Sequence, residues 1–146
     1  MNAQAQNLVR RHLSFGWYAL FFFALLGTGL ELLHAFKQGY YLDVGNETRR
    51  LMWRLAHAHG ALLGLVNVAF AHTVQAVREE ATPRLRLASG CLIVAAVLLP
   101  VGFFLGGVFA TGGDPGLPIL LVPVAAFLLL TGLWLTARSA ANQVRG

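Results

Sequence analysis

With 146 residues, 57% of them hydrophobic and 12% charged, and a mean hydropathy of +0.64, the chain is more apolar than a soluble domain, in which about a quarter of residues carry charge. The net charge of +5 does not make it a nucleic-acid binder: ten of its eleven basic residues are Arg, and most stand at the ends of apolar segments, where they suit lipid headgroups and set orientation. The single cysteine, Cys91, excludes an intramolecular disulfide and a C-x-x-C metal site.

Spanning the hydrocarbon of a bilayer takes about 20 helical residues, and four segments are long enough: about Leu13 to Phe36, Leu55 to Val77, Leu87 to Phe109 and Leu117 to Ala137. The expected fold is all-α, a single polytopic domain over residues 1–146 built as a four-helix transmembrane bundle running up-down-up-down. The first segment follows Arg10 and Arg11 as a signal peptide would. It is too long for one, contains Glu31 and His34, and lacks a small-x-small cleavage signal, so it is read as a mature helix. Trp17, Tyr18, Trp53 and Trp134 lie near span ends, as interfacial anchors do.

A polar loop around Lys37 to Arg50 leads to the second segment, and a charged loop from Arg78 to Arg86, with Pro83, leads to the third. Cys91 is read as a small packing residue. Pro100 and Pro123 are expected to kink the third and fourth helices, which are joined by the turn Thr111-Gly-Gly-Asp-Pro-Gly116. Gly60-x-x-x-Gly64 and Gly102-x-x-x-Gly106 are patterns that bring helices close.

Arg10, Arg11, Arg78, Arg84, Arg86, Arg138 and Arg145 fall on one side of the membrane, and Lys37, Arg49, Arg50 and Arg54 on the other. The positive-inside rule then places both termini in the cytoplasm of a bacterial inner membrane, and the clusters Glu31-Leu-Leu-His34 and His57-Ala-His59 toward the outside.

Ionisable side chains within a membrane are costly and usually functional. On the first helix Gly16, Phe23, Gly27, Glu31 and His34 share a face, and Glu31 and His34 are neighbours at i, i+3. On the second, His57, Gly60, Gly64, Asn67, Ala71 and His72 share a face with Gln75, and His59 points roughly opposite with Leu63, Val66 and Phe70. A rise of about 1.5 Å per residue puts Glu31 and His59 roughly 10 Å, and His34 and His57 roughly 14 Å, outward of the midplane.

Glu31, His34 and His57 therefore form the expected site. As a metal centre they would suit Zn, Cu or Fe, and either His could serve as an axial ligand of haem b. The third and fourth helices add no His, Glu or Asp within the membrane, which excludes a four-carboxylate di-iron centre. Gly27, Gly60 and Gly64 would give a macrocycle room beside His34 and His57. His59 and His72 are secondary cofactor candidates, His72 on the inner side. Beside each assignment stands a structural one: Glu31, His34 and His57 as a hydrogen-bonded knot, His59 as a residue of an apolar face, His12 as an interfacial residue beside two arginines, and Asn67 as an interhelical hydrogen-bonding residue.

The stretch Leu55-Ala-His-Ala-His-Gly-Ala-Leu-Leu-Gly-Leu65 resembles the H-x-H helix of small four-span bacterial membrane proteins of unknown function, and is distantly similar to His-bearing helices of haem-copper oxidase subunit I. The resemblance implies a haem or metal ligand at His57 or His59. Those oxidases spread their ligands over more helices than this chain has, so a complete terminal oxidase is excluded. Arg54-x-Ala56-His57 is similar to the start of the second helix in the membrane-associated eicosanoid and glutathione-metabolism family. That family continues with an Asn and a Glu where this chain reads His59-Gly-Ala-Leu-Leu-Gly64.

The function expected is haem b or transition-metal binding near the extracytoplasmic face, in electron transfer or metal handling within a respiratory-type assembly. The alternatives are a cofactor-free accessory or structural subunit and, behind it, a membrane-bound glutathione-dependent enzyme. No catalytic residue is assigned. The partners expected are the lipid bilayer and a homo-oligomer or larger membrane complex, with no nucleic acid.

Overall fold

The structure, a computed structural model, describes residues 2–77 and 81–144. It is all-helical, with four long helices: α1 (Ala3–Ala35), α2 (Glu47–Val77), α3 (Pro83–Val108) and α4 (Leu121–Val144). Arg78 and Arg145, used above for orientation, lie outside the described residues.

The helices start where local chemistry allows rather than where apolarity begins. Asn2 caps α1, its Oδ1 accepting the Ala5 N–H at 2.9 Å, so Arg10, Arg11 and His12 are helical residues and not a preceding tail. The helix ends at Ala35 with Phe36 as its cap; Lys37 beyond it is left-handed at φ 50°, and the Gln38 N–H reaches back to the Leu33 carbonyl at 2.9 Å. Thr82 caps α3 by accepting the Leu85 N–H at 3.3 Å, with Pro83 at the first helical position, where its missing N–H costs nothing. A 3-10 turn, Leu117–Leu120, precedes α4. Pro123 therefore falls in the first turn of α4, where its missing N–H breaks no intrahelical bond, whereas Pro100 lies inside α3.

Among the described residues three helical stretches are long and apolar enough to cross a membrane: Ala3–Ala35, Pro83–Val108 and Leu117–Asn142. The exception is α2, which is equally long but carries Arg49, Arg50, Arg54, His57, His59, Asn67 and His72. Its position accounts for this: α2 packs on α1 along one side and on α3 along the other, so much of its surface meets protein.

The helices are arranged as an open row. Each packs mainly on its neighbour in sequence, α1 and α3 meet only slightly, as do α2 and α4, and among the described residues α1 and α4 do not touch. In lipid such packing rests on close contact more than on expulsion of water. Gly16 is set against Gly64: a Cβ on Gly16 would stand 2.7 Å from the Gly64 carbonyl oxygen. A Cβ on Gly102 would lie 3.1 Å from Val122 of α4. Near the start of α2, Asn46 Nδ2 donates to the Ala110 carbonyl at 3.0 Å and the Thr48 hydroxyl donates to the Gly113 carbonyl. These bonds pin the α1–α2 connection to the turn after α3, where Gly112 and Gly113 take φ of 59° and 86°.

Candidate functional site

A groove of about 950 Å³ runs between the last turns of α1 and the first turns of α2, within the range of ligand pockets. Glu31 and His34 from α1, and Arg50, Arg54 and His57 from α2, line it together with Tyr41 from the connection. Glu31, His34 and His57 thus line one groove without converging on a single point. Arg54, Arg50 and Tyr41 were not foreseen as lining residues. The signal for Arg54 was its i, i+3 position before His57, which puts both on adjoining faces of one helix.

His57 is the most constrained of these. Its Nδ1–H donates to the Phe23 carbonyl of α1 at 2.6 Å, leaving Nε2 as the lone-pair nitrogen. Gly27 makes this approach feasible, since a Cβ there would stand 2.7 Å from His57 Nδ1 and 2.8 Å from Nε2. Gly60 lies under the Phe23 ring, and Gly64 faces Leu20 and Gly16. The glycines expected to leave room for a macrocycle are therefore filled by helix–helix contact, and the open volume lies beside them.

Glu31 and His34 are exposed on the groove wall. His34 meets Tyr41 edge to face, with ring centroids 6.4 Å apart, and Tyr41 stacks on Trp53 at 6.2 Å. Trp53 is buried, its Nε1–H donating to the Phe104 carbonyl at 3.1 Å, so it joins α2 to α3 rather than acting as an interfacial anchor. Among the described residues no hydrogen bond joins Glu31, His34 and His57, and no group of three His, Cys, Asp or Glu side chains is placed to hold a metal ion.

The other histidines lie elsewhere. His59 looks away from α1, as its helical position predicts, with its ring 4.9 Å from Phe103 of α3 and its Nδ1–H donating to its own Leu55 carbonyl at 2.9 Å. His72 is exposed. It stands roughly five full turns after Arg54 and so in line with it, on the outer stripe of α2 rather than on the face of His57 and Asn67.

His12 departs furthest from expectation. It is 0% exposed, at the junction of α1, α2 and α3. Asn67 donates its Nδ2–H to the Leu63 carbonyl at 2.8 Å, which turns Oδ1 toward His12. The His12 Nδ1–H donates to that oxygen at 2.7 Å, and Nε2 accepts the Ser89 hydroxyl at 2.7 Å. Phe70 covers the ring with centroids 4.4 Å apart. Every polar atom of the neutral imidazole is thus satisfied, as burial in a low-dielectric setting demands. Asn67 is the interhelical hydrogen-bonding residue it was read to be, and His12 is its partner.

No protein-family model, curated protein or solved structure matches the chain.

Proposed function

We propose that the chain is a bacterial inner-membrane protein, its four helices crossing up-down-up-down with both termini in the cytoplasm, and that the α1/α2 groove holds haem b for electron transfer within a respiratory-type assembly. The observation that carries this reading is His57: a groove-lining imidazole whose Nδ1–H is tied to the Phe23 carbonyl, so that Nε2 is the nitrogen left for a ligand. Metal-binding histidines are commonly oriented in this way. Haem is favoured over a bare ion because an ion such as Zn draws three or four side chains to one point, whereas haem asks the protein for one or two axial groups. His34 is the second imidazole of the groove, and Glu31, one turn before it, would orient its ring. Arg50, on the α2 wall with His57, would supply a guanidinium group for a propionate.

A cofactor-free accessory subunit is the second reading. What favours it is that the His57–Phe23 bond and its seat over Gly27 already join α1 to α2 without a ligand. An absorption spectrum of the purified protein after haemin addition, with metal analysis, separates the two. A Soret band that disappears in His34→Ala and His57→Ala but persists in His59→Ala supports haem binding. No Soret band and no stoichiometric metal leaves the accessory role.

A further inference from the structure

We infer that the α1/α2 groove is an interface between two copies of this chain, closed by a reciprocal Glu31–Arg54 ion pair. The inference rests on the membrane-spanning part of the proposed function and does not require haem.

Glu31 is a carboxylate within a helix apolar enough to cross a membrane, yet it is exposed on an open groove rather than turned into the row of helices. Ionisable groups at such positions face a protein interior or an aqueous cavity, because lipid leaves their charge uncompensated. Among the described residues the one ion pair is Arg50 with Glu47 at 3.5 Å, so neither Glu31 nor Arg54 is within 4.0 Å of an opposite charge. Both nevertheless line the same groove, Glu31 on the α1 wall and Arg54 on the α2 wall.

A groove with an unpaired acid on one wall and an unpaired base on the other can meet its own copy across a two-fold axis, Glu31 of each copy facing Arg54 of the other, while Arg50 keeps its own partner Glu47. An acidic or a basic partner protein would satisfy one wall and repel the other, and an anionic lipid would leave Glu31 unpaired. A second copy satisfies both. Between protomers the lower dielectric strengthens the Coulomb attraction of the pair relative to a solvated one.

The test is charge reversal in trans, read by the oligomeric state of full-length protein in detergent and by co-purification of differently tagged copies. The wild type is expected as a dimer. Glu31→Arg alone and Arg54→Glu alone set like charges across the axis, and each is expected to run at least tenfold more as monomer. Co-expression of the two single variants is expected to restore a heterodimer, because both ion pairs then re-form, one of them reversed. If the pair were instead satisfied within one chain, or by lipid, co-expression would restore nothing, and that result overturns the inference, as does a monomeric wild type. Each single variant is first shown to keep the wild-type helical content by circular dichroism, so that failed rescue between folded variants overturns the inference and a rescued heterodimer supports it. A dimer without a Soret band retains this inference and removes haem. A Soret band in a monomer does the reverse.

Discussion

The two polar regions of this molecule solve the problem of polarity in an apolar chain in opposite ways. Around His12 every donor meets an acceptor: Asn67, Ser89 and the Leu63 carbonyl complete a chain of hydrogen bonds that no solvent reaches. Around His57 the polar groups stand apart. His57 is held by one bond to Phe23, while Glu31, His34 and Arg54 line a groove of about 950 Å³ without bonding to one another. A network that is complete has no capacity left for a ligand, and its value is cohesion. A group of side chains left open at a helix junction retains its capacity to bind, at the expense of cohesion. Position, more than residue type, makes the difference, since both regions are built on a histidine.

Substitutions at the closed region should cost stability most. His12→Ala leaves the Asn67 Oδ1 and the Ser89 hydroxyl without partners and opens a cavity under Phe70, which together amount to about 3 kcal/mol. Unfolding by denaturant in detergent micelles reads this directly, and a loss below about 1 kcal/mol would show that the network is dispensable. Gly16→Val should follow, at about 2 kcal/mol, because any Cβ there meets the Gly64 carbonyl and Val68 and forces α1 away from α2. The same unfolding experiment checks it.

Gly27→Ala lies between the two regions in effect. The added methyl displaces the His57 ring, so about 1 kcal/mol of stability is expected to go, together with haem binding if His57 is the axial ligand. Retained binding by Gly27→Ala would break the link between the Phe23 carbonyl and the groove. The smallest effect is expected for His72→Ala, within about 0.5 kcal/mol of wild type, because an exposed side chain on the outer stripe of α2 supports nothing. A larger change in its melting temperature would assign that stripe a partner.

Much of this contrast was legible in the sequence, but not all. The apolar runs announced four helices, and the i, i+3 spacing of Glu31 and His34 set them on one face, where they now line one groove with His57. Helix ends were less visible, because apolarity marks where lipid contact begins and not where the backbone starts to coil. Taking the first span from Leu13 left His12 just outside it, whereas the Asn2 cap carries α1 well past that point. The clue was Asn67, a polar residue in the middle of an apolar run and in need of a partner. Once Gly16 is set against Gly64, one turn earlier on α1 meets one turn later on α2, which brings His12 beside Asn67. One face shared by His57, Asn67 and His72 was also too simple a reading of α2. With α1 on one side and α3 on the other, the helix buries Leu63 and Phe70 as well as Asn67, and presents His72 outward.

The most direct test of the contrast pairs one variant from each region, His57→Ala and His12→Ala, and measures haem stoichiometry and unfolding free energy on the same preparations. His57→Ala should lose the Soret band while keeping most of its stability, and His12→Ala should lose stability while its folded fraction still binds haem at the wild-type ratio. The opposite pattern, with haem lost on replacing the buried His12 and retained on replacing His57, would contradict the assignment of the closed region to cohesion and the open groove to binding.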